Sequence, residues 1–176
     1  MREFNRTKMQ IRSDSLNVIQ VTTALYDRMR KETIRVFLKI ANQKCRELGG
    51  DMLAEMWLTG FLGESNPLTG YIWMNDVDRK RQYFTESIMS GEPIDKAVTK
   101  ALRYWYGAQK QYADIVTDAA AIQAFIDTKT QFVKWRTAED ERVCYVCGSR
   151  DGNIYPLKNA PGKPHYNCRC YLVRVE

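Results

Sequence analysis

Five side chains able to bind a metal through sulfur or nitrogen lie in one short stretch near the end of the 176-residue chain. A tetrahedral zinc site needs four such donors, with Zn–S bonds of about 2.3 Å and Zn–N bonds of about 2.0 Å. A C-x2-C turn supplies two thiolates, and a second close pair, brought back by a 17-residue loop, supplies the rest. The spacing C-x2-C-x17-H-x2-C-x-C therefore predicts a structural zinc site. Its donors are Cys144, Cys147, His165, Cys168 and Cys170.

Four positions around zinc must be filled from five donors. We expect Cys144, Cys147, His165 and Cys168 to bind, because His165-x2-Cys168 has the same reach as the C-x2-C pair. Cys170 competes for the fourth position, since residues 168 and 170 of a strand face the same way. A closed set of four leaves no position for substrate or water. A disulfide pair and reduced cysteines that merely pack are the alternatives.

No catalytic set is evident. His165 is the only histidine, and neither a glycine-rich phosphate loop nor a nucleophile elbow is present. Asp140, Glu141 and Asp151 lie near the zinc donors, but without a base or an open metal position they are typical of caps and turns. The sequence therefore predicts a protein that is not an enzyme and takes no small-molecule substrate.

The elements that position these donors are mainly α-helical. Ser13 or Asp14 can cap a long helix that runs to Leu48 and stops at Gly49-Gly50, with Leu16 on its apolar face. Such a helix suggests an N-terminal arm, with Cys45 buried in it. Further helices are expected over 75–90 and from Asp95 to about residue 125. The predicted domains are a helical arm and bundle over residues 1–128 and a small zinc-stapled α+β module over residues 129–176. In the module, Trp135 either covers the zinc site or serves as the main apolar anchor.

The formal charge of +6 is unevenly distributed. Residues 1–50 carry +6, residues 51–128 carry −4 and residues 129–176 carry +4. Basic ends of this kind are typical of contact with nucleic acid or an acidic protein surface, although a solvated helix face is the plain alternative. No apolar run is long enough to span a membrane, and the first residues lack a secretory pattern, so we expect a cytosolic site of synthesis. The candidate contact residues are Arg28, Arg30, Lys31, Arg35, Lys39, Arg142, Arg150, Lys163 and Arg169.

Residues 134–147 read K-W-R-T-A-E-D-E-R-V-C-Y-V-C, and residues 164–170 read P-H-Y-N-C-R-C. This pattern resembles the W-x-T-x-x-D-x-R-V-C-x-x-C and P-H-x-x-C-R-C signatures of phage head morphogenesis proteins, the minor head proteins similar to protein F of phage Mu. Asp151-Gly152 matches the D-G turn of that family. Thr117-Asp118 is similar to its T-E helix, and Tyr71 with residues 78–81 to a segment of many members.

The resemblance implies a structural, low-copy component of the phage head. Its expected partners are the portal and the capsid or scaffold proteins, with non-specific contact to phage DNA as a further expectation. Its expected location is the head interior or portal vertex of the virion, after assembly in the host cytoplasm. A non-specific nucleic-acid-binding zinc protein is the alternative, followed by a small phage-encoded toxin or nuclease.

Overall fold

The computed structural model describes residues 2–13, 17–66 and 68–175 of the chain. The fold is mainly α with one small antiparallel sheet, which confirms the predicted class. The side chain of Ser13, together with Asp14 and Leu16, lies outside the described residues, so the predicted helix cap falls there too. The helices are α1 (Arg2–Ser13), α2 (Val18–Glu47), α3 (Glu55–Leu62), α4 (Trp73–Met89), α5 (Ile94–Asp127) and α6 (Tyr145–Gly148). The strands are β1 (Phe132–Arg136), β2 (Ile154–Pro156) and β3 (Tyr171–Arg174).

The chain divides into two compact units, each made of two segments. The first unit contains Met1–Phe37 and Glu55–Tyr112, and the second contains Leu38–Ala54 and Ala113–Glu176. The domain boundary expected at residues 128/129 stays a prediction. The compact unit that holds the Cys/His module also takes in residues 38–54 and 113–128.

In the first unit, α2 is a packed helix, which corrects the expectation of an arm. Tyr26 is 2% exposed, and its ring lies 6.2 Å from that of Phe84 and 5.6 Å from that of Trp105, measured between centroids. The buried hydroxyls of Thr22 and Thr85 are 2.8 Å apart. Residues 2–13 form a further helix, α1, ahead of the predicted long helix. The apolar stripe of α2 therefore faces the chain's own helices.

The expected C-terminal stop of this helix is confirmed at the two glycines. Gly49 has a φ of 76°, its N–H donates to the carbonyl of Arg46, and the N–H of Gly50 donates to the carbonyl of Cys45. These two bonds satisfy the last helical carbonyls in a Schellman motif. Cys45 is fully buried, as expected, and its thiol donates to the carbonyl of Ala120 at 3.3 Å.

The three consecutive basic residues of α4, Arg79, Lys80 and Arg81, form ion pairs with acidic residues of the same helix. Asp76 is 6% exposed and pairs with both Arg79 and Lys80. Arg79 also lies over the ring of Tyr71, 4.1 Å from its centroid. Arg81 pairs with Asp78 at 3.8 Å. These residues stabilise the start of α4, and the helix begins at Trp73, two residues before the predicted start.

Gly50, just beyond the end of α2, and Gly107, within α5, provide a contrasting pair of substitutions. A Cβ at Gly50 would lie 2.6 Å from both Cα and Cβ of Ala124, whereas at Gly107, within α5, it would meet no atom within 4 Å. We expect Gly50→Ala to lower the free energy of unfolding by about 1–3 kcal/mol through overpacking. Gly107→Ala should raise it by about 0.5–1 kcal/mol. Urea denaturation followed by circular dichroism measures both, and equal effects at the two positions would contradict the close approach.

Candidate metal centre

The three-stranded sheet forms the base of the Cys/His module. Its order is β2-β1-β3, and both pairings are antiparallel. In β1, Val133 and Trp135 point to the inner face and are 0% and 1% exposed. Leu172 of β3 lies opposite Trp135 in the register. Because side chains alternate along a strand, this face packs against the loops that carry the donors.

The first two donors lie on one tight turn. Cys144 is the N-cap of the single-turn helix α6, and the N–H of Cys147 donates to its Sγ at 3.4 Å. The N–H of Gly148 donates to the carbonyl of Cys144 at 2.9 Å. The turn therefore points both sulfurs toward the same space. Cys144 is half-buried, whereas Cys147 is 2% exposed.

The remaining cysteines return on the loop before β3. Asn167 has a φ of 57°, in the left-handed region that asparagine tolerates better than most residues, and it turns the chain into Cys168. The Sγ of Cys168 lies 3.5 Å from that of Cys147. Cys168 and Cys170 are both buried. All five cysteines are free thiols, so the disulfide alternative is not what the structure contains.

His165 is oriented by its own neighbour. Its Nδ1 lies 2.8 Å from the carbonyl oxygen of Tyr166. A carbonyl only accepts, so in the neutral ring Nδ1 carries the proton and Nε2 keeps its lone pair. That Nε2 lies 3.1 Å from Sγ of Cys144 and 3.5 Å from Sγ of Cys147. A partner on the second ring nitrogen is the usual way in which a metal-binding histidine is held.

The donors form two groups of three that share Cys147. In each group the ligand atoms all lie within 4.8 Å of one another; the first group is Cys144, Cys147 and His165, and the second is Cys147, Cys168 and Cys170. Bond lengths of 2.3 and 2.0 Å at tetrahedral angles place ligand atoms about 3.5–3.8 Å apart. The observed separations of 3.1–3.5 Å are close to that spacing, so the cluster could hold a metal ion. Which donor completes a set of four stays open.

Hydrogen bonds and burial shift the thiols in opposite directions. The N–H of Cys147 and its side chain lower the pKa of Cys144 to about 7. Burial raises the pKa of Cys147. Burial also raises the pKa of Cys170, and a hydrogen bond with Cys147 partly opposes that rise. The hydrogen bond to Tyr166 raises the pKa of His165. A half-buried thiol that ionises readily thus lies beside two buried thiols whose charged form is disfavoured by burial unless a cation is nearby.

Trp135 fills the space beneath the cysteines. It forms one apolar cluster with Cys147, Cys168 and Cys170. Its buried indole N–H has no hydrogen-bond partner, although it lies near enough to Cys170 to lower that thiol's pKa. The guanidinium of Arg150 lies 5.4 Å from its ring centroid. Trp135 is therefore both the main apolar anchor and the base of the donor cluster, which combines the two roles considered from the sequence.

A clasp that the sequence analysis missed lies outside the donor cluster. Arg169, between Cys168 and Cys170, donates from Nη1 and Nη2 to the two carboxylate oxygens of Asp140 at 2.5 and 2.6 Å. Asp140 also accepts from the N–H of Arg142, the turn role that was expected. The separation of 29 residues between the partners hides this pair from any local pattern. The other expected turn residue, Asp151, accepts from the N–H of Thr137 at 2.8 Å.

Six of the nine predicted contact residues have an ion-pair or hydrogen-bond partner within the chain. Arg28 pairs with Glu3, Arg30 with Asp27, Arg35 with Glu32, Lys163 with Asp118 and Arg169 with Asp140. Arg150 donates to the carbonyl of Gly162 at 3.1 Å. Lys31, Lys39 and Arg142 are exposed. The predicted residues are divided between the two compact units, and their role in binding stays a prediction.

These observations define a mainly helical protein with a C-terminal Cys/His module built on a three-stranded sheet. A sequence profile of the family described as Phage Mu protein F like protein matches residues 80–173, just over half of the chain. The chain belongs to this family of phage head proteins. No curated protein and no solved structure matches the chain significantly. Among the described residues, no helix is both long and apolar enough to cross a membrane.

Asp140→Asn tests the clasp, with Glu139→Gln as its matched control on the neighbouring exposed pair with Arg136. We expect only Asp140→Asn to lower the thermal midpoint of the module, because Arg169 then loses its charged acceptor. Arg169 lowers the pKa of Asp140, so the stabilisation is present above the carboxyl's unfolded pKa and is lost as the pH falls through the folded one. The difference in thermal midpoint between Asp140→Asn and the native protein should thus stay constant from pH 7 to pH 5. It should shrink in about 0.5 M salt. A difference that fades between pH 7 and pH 5 would contradict this account.

Proposed function

We propose that this protein is a structural, non-enzymatic component of the phage head whose C-terminal module is stapled by one zinc ion. The main support for this proposal is that five metal-binding side chains converge within the region that matches the family. They are Cys144, Cys147, His165, Cys168 and Cys170. The thiolate and imidazole donors favour zinc over harder cations. Four protein ligands close the coordination sphere, which makes the ion structural.

Zinc at this position supplies a cross-link between the turn at residues 144–147 and the loop at residues 165–170. Cys147 belongs to both donor groups, so it is a ligand in either choice of four. His165 presents Nε2 because Tyr166 holds its other nitrogen. The strands of the module are three to five residues long, too short to form a large core without such a link. The ion therefore adds the stability that the small sheet lacks.

We propose that the protein acts at the portal vertex, in contact with portal, capsid or scaffold proteins. The family match and the non-catalytic chemistry of the donor cluster support this role. His165 is the only histidine of the chain and is committed to the donor cluster. Of the acidic residues considered from the sequence, Asp140 pairs with Arg169 and Asp151 accepts from a backbone N–H, whereas Glu141 is exposed. A closed ion and engaged carboxylates support a scaffold rather than a catalyst. Non-specific DNA contact stays the second candidate, but the pairing of most candidate cations weighs against it.

Metal analysis of protein purified without added metal should give about one zinc ion per chain. Cys147→Ser should abolish binding, whereas Cys45→Ser should retain it, because Cys45 lies away from the donors and serine keeps a donor to Ala120. Of Cys168→Ser and Cys170→Ser, one should lose zinc and the other keep it, which identifies the fourth ligand. Zinc retained in Cys147→Ser would remove the proposed site.

Chelation should unfold the module but leave most helical structure, because α2, α4 and the first part of α5 have their own core. We expect trypsin to cleave after Arg150, whose side chain donates to the carbonyl of Gly162, only once zinc is removed, with far-ultraviolet circular dichroism changing little. Re-addition of zinc should restore protection. A module that stays equally protected in chelator contradicts the cross-link.

The head role is tested by quantitative mass spectrometry of purified heads from the phage that encodes the chain. The protein should be present at low copy number, and deletion of its gene should reduce infectious particles. Cys147→Ser should reproduce the deletion and Cys45→Ser should not. Absence of the protein from both procapsids and virions would exclude a structural head role, whatever the outcome of the zinc analysis.

A further inference from the structure

A cleft with a volume of about 280 Å³ opens beside the donor cluster, entirely within the second compact unit. Its apolar wall is formed by Ile122 of α5, Pro161 of the returning loop and Leu172 of β3, with Trp135 beneath. The zinc proposal uses Cys170, one of the lining residues, but it assigns no role to the open space itself.

Ion pairs frame the cleft on two sides. Lys163 Nζ lies 2.9 Å from Oδ2 of Asp118, which ties the loop after Pro161 to the middle of α5. Arg169, on the opposite chain segment, is fixed by Asp140. Burial raises the pKa of Asp118, and Lys163 opposes that shift. The cleft is thus held open between a helix and a braced loop, so an occupant would not have to create it.

The size of the cleft restricts what it can hold. Pockets for drug-sized ligands and cofactors occupy about 300–1,000 Å³, so 280 Å³ lies below that range. A single large apolar side chain fits such a volume, and protein interfaces commonly bury one such anchor in a pocket of this kind. A stacked base is a poorer fit, because Trp135 is 1% exposed and presents no open ring face.

The rim restricts the charge of the occupant. Lys44, Lys163 and Arg169 line the cleft, and each is paired with one carboxylate of the chain: Lys44 with Glu47 at 3.6 Å, Lys163 with Asp118 and Arg169 with Asp140. A lysine ammonium has three donors, so pairing with one carboxylate leaves others for a ligand. Residues 129–176 carry a net charge of +4 as well. An acidic flank on the occupant is therefore complementary to the rim.

We propose that this cleft docks a segment of a partner protein that inserts one large apolar side chain flanked by carboxylates. Apolar walls provide the affinity through burial of the anchor, and the rim cations select acidic neighbours. The inference does not depend on the head role, since it uses only the cleft and its charges.

The test uses the full-length protein as purified and synthetic peptides with three glutamates on each side of a central Trp, Leu or Ala. The readout is the ¹⁵N–¹H indole resonance of Trp135, one of four tryptophans, assigned with Trp135→Phe. We expect saturable shifts with the Trp or Leu peptide and none with the Ala peptide. Ala121→Phe places a ring in the cleft that Ala121 lines, so it should weaken binding at least about tenfold.

Ala119→Phe is the matched control, because Ala119 is also half-buried on α5 but does not line the cleft. Its affinity should equal that of the native protein, and circular dichroism should show both variants folded. Absence of saturable binding up to about 1 mM with both apolar peptides overturns the proposal, as does unchanged affinity in Ala121→Phe. A DNA oligonucleotide that shifts Trp135 where the peptides do not would also overturn it, because the occupant would then be a nucleic acid.

Discussion

The module depends on how the buried sulfur of Cys147 is neutralised. This atom lies 3.5 Å from both Nε2 of His165 and Sγ of Cys168, and the residue is 2% exposed. Several thiolates cannot share a buried volume without a cation, since each like charge disfavours the next. Burial accordingly raises the pKa values of Cys147 and Cys170, which keeps them protonated in the absence of a counter-ion. The proposed zinc ion would remove that constraint, and metal binding, proton release and folding of the module would then be one coupled process.

The sheet cannot carry this cluster alone, and its supports come from the rest of the second unit. Arg174 of β3 donates to the carbonyl of Leu48 at 3.0 Å and to the hydroxyl of Thr128 at 2.9 Å. Lys163 pairs with Asp118 on α5. These contacts join residues that are 45 to 126 positions apart. The donor loops are thus braced by helical segments, which explains why the compact unit extends beyond the region that carries the cysteines.

The donors and the helical class could be predicted from the sequence because both signals are local. Donor spacing is a property of a short stretch, and Gly49-Gly50 ends α2 where the pattern indicated. The arm could not be judged in the same way, because an apolar stripe looks alike whether it faces a partner or α4 and α5. The contact between Tyr26 and Trp105 that decides the question joins residues 79 positions apart. The pairing of Asp76 with Lys80, by contrast, has i,i+4 spacing and was available to sequence reasoning.

Net charge does not show which cations already have a partner within the chain, for the same reason. The basic ends suggested that the protein binds a polyanion. In the structure, Arg28, Arg30 and Arg169 form ion pairs with carboxylates of the chain itself. A cation that is already paired attracts a distant polyanion weakly, since its field is cancelled beyond a few ångströms. It can still share a hydrogen-bond donor with a carboxylate that arrives in contact, provided that an apolar neighbour supplies the free energy of docking. The cleft beside Trp135 has both properties, which favours recognition of a short, shaped protein segment over attraction to a uniformly charged polymer.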